Sequence, residues 1–146
     1  MKVEIKKGKT LGEIRLKGSA TLVAGVLKGA TNEKGDSVAY YAMVNEYGTE
    51  RIPARPFMRN TVNEHSAEWK ALLKQFISAG VTPEEALEKI RNKLRTDIMA
   101  TIKAGEFTPN APATVARKKR LGLEHTDTPL IETTALYKSI NTEIRK

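Results

Sequence analysis

The chain has 146 residues and no cysteine, and its 25 basic and 17 acidic side chains leave a formal net charge of +8. This length predicts one domain with a single core, and the lack of cysteine excludes disulfides and thiolate chemistry. No apolar run approaches the roughly 18 residues of a membrane helix, and the first residues lack the apolar stretch of a secretion signal, so we expect a cytoplasmic protein.

Two short N-terminal runs alternate apolar and polar residues, which predicts two half-buried strands. Val3 and Ile5 alternate with charged neighbours, and so do Ile14 and Leu16. The many basic residues of this region favour a solvated face or a mobile basic arm over residues 1–20, and contact with DNA is the alternative.

Residues 22–44 have the pattern of a β-hairpin. The first half is dense in apolar residues, residues 31–36 contain turn-forming Asn, Gly and Asp, and alternation resumes over residues 37–44. Tyr41 and Met43 face away from the other apolar residues of the second predicted strand. This arrangement predicts a face for a neighbouring subunit or, alternatively, a strand buried on both faces within one chain.

Residues 45–57 are predicted to form an extended arm. Gly48 permits a positive φ where the strand must turn away. Pro53 and Pro56 keep the residues before them extended, so a helix can begin only near Phe57.

The first of two long helices predicted over residues 58–104 follows this arm. Apolar residues recur every three or four positions from Phe57 until Gly80, which is a natural stop. Trp69 lies in this stripe, so we expect it in the core.

The second long helix has a complete start signal. Thr82 is the expected N-cap, Pro83 takes the first helical position, and Glu85 completes a capping box. An apolar stripe continues to about Ala104, and we expect the two helices to pack antiparallel.

The remaining segment predicts a short helix over residues 113–120 and a C-terminal helix and strand over residues 129–144, with the strand at the sheet edge. The short helix ends in four consecutive cations, which either contact nucleic acid or complement the negative end of the helix dipole. These cations are Arg117, Lys118, Lys119 and Arg120. The expected fold is α+β, a single domain in which an antiparallel β-sheet is packed on one side by two long α-helices.

Two segments carry a recognisable motif. Residues 45–49 are Asn-Glu-Tyr-Gly-Thr, and residues 52–59 are Ile-Pro-Ala-Arg-Pro-Phe-Met-Arg. Residues 129–133 are Pro-Leu-Ile-Glu-Thr, followed by an apolar pair and Ser-Ile. Both segments resemble the tailed-phage head-tail joining proteins, a neck or tail-completion family, and the resemblance covers roughly residues 22–141. Thr134 stands where that family usually has glycine.

The resemblance implies a structural protein of bacteriophage or prophage virion morphogenesis, not an enzyme. Copies of such a protein form a ring homo-oligomer at the neck, which completes the head or the tail so that the other part can dock. The implied partners are the tail tube or tail terminator, the head connector proteins and, transiently, phage DNA, with no membrane. The protein would lie in the host bacterial cytoplasm during assembly and then in the virion.

Within such a ring, we expect the subunit contacts to come from the extended arm and from the outward face of the second hairpin strand. The expected contact residues are Arg51, Ile52, Arg55, Phe57, Tyr41 and Met43. Phe57 has a core position as its alternative, and a pairing of Arg55 with Glu46 or Glu50 would stiffen the arm. Residues 117–120 are the candidates for a DNA-facing lumen.

Motifs for catalysis are absent from the sequence. It has no Gly-rich phosphate loop, no His-Glu-x-x-His and no Gly-x-Ser-x-Gly, and we expect neither His65 nor His125 to have an acid-rich local context. We therefore expect no catalytic, cofactor-binding or metal-binding residue. The alternative function is a small basic nucleic-acid-binding protein that grips phosphates through the N-terminal arm and residues 117–120.

Overall fold

The computed structural model of the chain describes residues 3–7, 11–16, 20–26, 29–31, 35–123, 126 and 135–145. The strands are β1 (Val3–Lys7), β2 (Leu11–Leu16), β3 (Thr21–Val26) and β4 (Ile140–Arg145). The helices are α1 (Val38–Tyr47), α2 (Phe57–Ser78), α3 (Pro83–Ala104), α4 (Pro112–Arg120) and α5 (Ala135–Lys138).

The predicted α+β class is confirmed. The four strands form one antiparallel sheet in the order β1-β2-β3-β4. Helix α2 packs against β1 and β2, while α3 packs against β3 and β4, so the two long helices cover the sheet together. The strands expected near both ends of the chain are confirmed. The prediction of a mobile arm is wrong for residues 3–7 and 11–16, because these residues form paired strands of the sheet.

The β-hairpin predicted over residues 22–44 is wrong in its second half. Residues 22–26 belong to β3, but residues 38–47 form helix α1. An isolated antiparallel bridge between Thr31 and Ser37 is all that the described residues retain of the expected pairing. The Ser37 side chain accepts a hydrogen bond from the Tyr40 N–H and begins the helix as its N-cap. A run that is apolar at most positions agrees with the two-residue period of a strand and with the 3.6-residue period of a helix. The apolar pattern therefore could not distinguish the two.

The two long helices have nearly the predicted bounds. The capping box at Thr82 is formed in both directions, and Gly105 ends α3 with a left-handed backbone. Thr61 meets Thr101 and Trp69 meets Asp97, so residue numbers rise along α2 as they fall along α3, and the pair is antiparallel as expected. The largest buried side chains of the core are Trp69, Phe57, Leu22, Leu73, Leu87, Ile90, Leu94, Ile98, Ile102 and Ile140. Within the described part of the chain, no helix is both long and apolar enough to cross a bilayer.

The outer edge of β4 is occupied by side chains of α3 and of β4 itself. The Thr142 N–H bonds to the side chain of the preceding Asn141 at 2.8 Å, so the polar backbone groups of Thr142 face away from β3. Arg91 donates to the Thr142 carbonyl at 3.1 Å, and Arg95 donates to the Ile140 carbonyl at 2.7 Å. These contacts protect an edge that would otherwise be open to pairing with another strand.

Candidate protein-interaction site

The segment of residues 48–56, which we call the connector, joins α1 to α2 through a tight turn. Gly48 has φ 74° and ψ 174°, and its N–H bonds to the Val44 carbonyl at 2.8 Å. The Thr49 N–H bonds to the Ile52 carbonyl at 2.8 Å, and the Thr49 hydroxyl accepts from the Arg51 and Ile52 N–H groups. Residues 49–52 therefore form a turn that is closed by its own hydrogen bonds.

Glu46 joins the end of α1 to the start of α2. Its side chain is fully buried, and its carboxylate accepts hydrogen bonds from the N–H groups of Met58 at 2.9 Å and Arg59 at 3.1 Å. The Arg59 guanidinium donates to the same carboxylate at 3.0 Å. Pro56 offers no side-chain cap to α2, so the helix is capped by Glu46, which lies 12 residues before Met58 in sequence.

Arg55 is the first correction to the predicted contact residues. Only 9% of it is exposed, because its guanidinium donates to the carbonyls of Thr108 at 2.9 Å and Pro109 at 3.1 Å, and to Asn45 Oδ1 at 3.4 Å. The predicted pairing of Arg55 with Glu46 or Glu50 is wrong, since Glu46 pairs with Arg59. Arg55 ties the connector to the segment after α3, so it cannot reach outward to a neighbour in this conformation.

Phe57 is the second correction. It is fully buried and belongs to the hydrophobic core, which is the alternative that the sequence had left open. As the first residue of α2, it lies where the chain enters the interior, and it offers no surface to another subunit.

Replacing Arg55 should therefore destabilise the fold instead of testing an interface. We expect Arg55→Ala to lower the free energy of unfolding by about 2 kcal/mol, because the buried Asn45 side chain and the carbonyls of Thr108 and Pro109 lose a charged donor. Arg51→Ala is the matched control, since Arg51 is exposed in the same connector, and it should stay within about 0.5 kcal/mol of wild type in urea unfolding. Equal losses in both variants would contradict this assignment.

The exposed apolar side chains concentrate on α1 and the connector. Tyr40, Met43 and Tyr47 are spaced three and four residues apart, which places them on one side of α1, and we call this stripe the outer face of α1. Among the large apolar residues whose exposure the structure describes, Tyr40 is the most exposed, at 66%. The opposite side of the helix is buried and includes Ala42 and Asn45.

Two of the predicted contact residues on this helix remain exposed. Tyr41 lies beside the outer face of α1, and Met43 is part of it, although both stand on a helix and not on the predicted strand. Ile52 and Arg51 are exposed at the turn of the connector. The structure thus leaves four of the six predicted contact residues on the surface and buries two.

The basic cluster at the end of α4 is divided between surface and interior. Lys118 is buried at 3% exposure, which contradicts its prediction as a DNA-facing residue, and Arg117 is half-buried. Lys119 and Arg120 are exposed in the last turn of the helix, where positive charge complements the dipole. The second resemblance segment, residues 129–133, and the adjoining Thr134 lie outside the described residues.

Sequence reasoning missed the capping role of Glu46 and the buried site of Arg55. Glu46 bonds to Met58, which lies beyond two prolines in sequence, and Arg55 bonds to Thr108, which is 53 residues away. The only local signal was the unusual start of α2, which has no N-cap side chain of its own. Comparisons with protein-family models, with curated proteins and with solved structures found no match for this chain.

Proposed function

We propose that this chain is a structural subunit of a tailed-phage virion, a head-tail connector or tail-completion protein that forms a ring at the neck. The resemblance of residues 45–59 motivates the proposal. The observation that carries it is the outer face of α1, an aromatic stripe on the solvent side of a helix whose opposite side is already buried. A helix that is apolar on both sides is typical of one that is covered on both sides.

A closed ring requires that two different patches of each subunit meet. The outer face of α1 supplies one patch rich in tyrosine, a residue that is enriched at interfaces. The outer edge of β4 is an unsuitable second patch, because Arg91 and Arg95 already bind its carbonyls. The helical face is therefore proposed as one of the two patches, and the edge of β4 is not proposed as the other.

The remaining partners follow from the resemblance. The ring would dock on the tail tube or tail terminator and on head connector proteins, and it would not involve a membrane or catalysis. Lys119 and Arg120 are the exposed cations of the predicted lumen set and would hold passing DNA by charge without reading bases. Assembly would take place in the host bacterial cytoplasm, and the finished ring would lie in the virion.

Tyr40→Glu tests this function. In native mass measurements, alone and with tail tubes or head connectors, wild type should form a discrete ring, and the variant should associate about 30-fold more weakly, as expected for an interface tyrosine. Glutamate at this position should not harm α1, since it lies three residues after the Ser37 N-cap. Helical content measured by circular dichroism should stay unchanged.

Leu121→Glu is the matched control, because Leu121 is an exposed apolar residue at the end of α4, outside the outer face of α1. It should assemble as wild type does. Unaltered assembly of Tyr40→Glu would remove the outer face of α1 from the interface. A strictly monomeric wild type, with or without tail tubes and head connectors, would contradict the ring itself.

The second candidate is a small basic nucleic-acid-binding protein, favoured by the net charge of +8 and the exposed Lys119 and Arg120. It requires the isolated monomer to bind DNA with an affinity that falls steeply with salt. Binding that is lost in the double variant Lys119→Ala, Arg120→Ala would promote this candidate above the structural one.

A further inference from the structure

A cluster of one imidazole and two carboxylates lies between the two long helices. His65 and Glu68 are one turn apart on α2, and Asp97 approaches them from α3. One ligand atom from each residue lies within 4.8 Å of the other two. This cluster corrects the expectation that the surroundings of His65 are poor in acid. Glu64 and Glu68 lie close to His65 in sequence, and α3 adds a further carboxylate, that of Asp97.

The spacing of these atoms suits a small divalent metal. His65 Nδ1 lies 3.6 Å from Glu68 Oε2 and 3.8 Å from Asp97 Oδ2. Nitrogen and oxygen ligands at the Zn²⁺ bond length stand about 3.3–3.6 Å apart around a tetrahedral ion. These two separations are close to that range, and the carboxylate oxygens of Glu68 and Asp97 lie within 4.8 Å of each other.

The groups around the cluster hold two of its members in place. Trp69 Nε1 donates to Asp97 Oδ2 at 2.8 Å, and the His65 ring stacks on Trp69 with the ring centres 6.1 Å apart. The other nitrogen of His65 faces Glu64, whose Oε2 lies 4.0 Å away. Metal-binding histidines usually have a carboxylate or carbonyl on the second nitrogen, which fixes the ring and makes it a better ligand.

A lysine ammonium occupies the cluster in this structure. Lys93 Nζ lies 3.2 Å from both Glu68 Oε1 and Asp97 Oδ2. Partial burial lowers the pKa of Lys93, but its hydrogen bonds to Asp97 and Glu68 and their charges outweigh burial and raise the pKa above its ordinary value. The Lys93 side chain is partly exposed on a flexible stem, so it can swing into solvent when another cation takes its place.

We propose that His65, Glu68 and Asp97 bind one divalent metal ion of the Zn²⁺ class, which replaces the ammonium of Lys93 between α2 and α3. One imidazole and two carboxylates leave a fourth position for water, and this ligand set suits Zn²⁺ or Co²⁺ better than Ca²⁺ or Mg²⁺, which favour oxygen ligands alone. The site is remote in sequence from the outer face of α1, and its test does not depend on ring assembly.

Titration of the full chain with ZnCl₂ tests the proposal, and Trp69 is a built-in probe because it is the one tryptophan of the sequence. Its fluorescence should change and saturate at one equivalent of Zn²⁺, with the same stoichiometry by calorimetry. Asp97→Asn, which keeps an acceptor for Trp69, and His65→Phe, which keeps the stacked ring, should each weaken binding by more than about tenfold. Circular dichroism of each variant checks that the fold is retained.

Two further variants separate this site from unspecific binding. His125→Ala removes the other histidine of the chain and should leave Zn²⁺ binding unchanged. Lys93→Met removes the competing cation and should strengthen binding several-fold. Binding that does not saturate at one equivalent, that falls equally in His125→Ala, or that weakens in Lys93→Met would overturn the proposal.

Discussion

Glu46→Ala is expected to lower the free energy of unfolding by about 3 kcal/mol, as measured by urea denaturation. Two backbone N–H groups at the start of α2, those of Met58 and Arg59, lose their acceptor in the buried space that the carboxylate occupies. Each unpaired buried donor costs about 1–3 kcal/mol, and the Arg59 guanidinium loses its charged partner as well. Arg59 is partly exposed, so solvent offsets part of that last loss.

Glu50→Ala is the matched control for this prediction. Glu50 is exposed in the connector only four residues away, so its replacement should change the free energy of unfolding by no more than about 0.5 kcal/mol. If Glu46→Ala cost as little as the control, Glu46 would not cap α2 in solution.

The second large effect is expected for Gly48→Ala, at about 3 kcal/mol or more. A Cβ at this position would stand 2.8 Å from the Ala54 nitrogen and 2.9 Å from the Ile52 carbonyl oxygen, both of which are backbone atoms. The combination of φ 74° and ψ 174° is also one that glycine alone adopts readily. Relief of the clash requires the turn at residues 49–52 to open.

Gly80→Ala separates backbone strain from this clash. Gly80 has φ 86°, but an added Cβ would meet nothing within 4 Å, so only the strain remains, at about 1 kcal/mol. Thermal unfolding of both variants provides the comparison. Equal decreases in the unfolding temperature of the two variants would mean that the connector backbone moves to make room for the added Cβ. Close backbone packing would then not fix its turn.

The two long helices were predictable from the sequence because their signals are local. The capping box at Thr82, Pro83 and the glycines that follow each helix act within a few residues, and the apolar stripes repeat over 22 residues. The same periodicity correctly placed Trp69 in the core. The hydrogen bond from Trp69 to Asp97, and the metal-ligand geometry beside it, depend on how two helices face each other, which one stripe does not specify.

The error at residues 38–47 has a physical cause. This segment is apolar on nearly all sides, so its pattern agrees with a strand period and with a helix period alike. The Ser37 cap and the packing of Ala42 against the core favour the helix. Tyr41 and Met43 are both exposed, but residues two apart lie on different sides of a helix, so they do not form the one outward face of the predicted strand. Tyr40, which the strand pattern placed on the opposite face, is exposed as well.

Arg55 illustrates the limit of composition as a guide to the surface. A charged residue between two prolines is typical of an exposed arm, but the fold brings the Thr108 and Pro109 carbonyls to its guanidinium and buries it. Lys118 was misjudged for the same reason, since one charged residue of a basic run lies in the interior.

The sequence by itself determined the α+β class, the long helical pair, the strands at both ends and the turn at Gly48, because caps, prolines and apolar periods act on neighbouring residues. The tertiary structure decided which charges are buried, which helix Glu46 caps, and which side of α1 is left for a partner. Those outcomes depend on groups that are distant in sequence and meet only when the chain packs, so no local pattern records them.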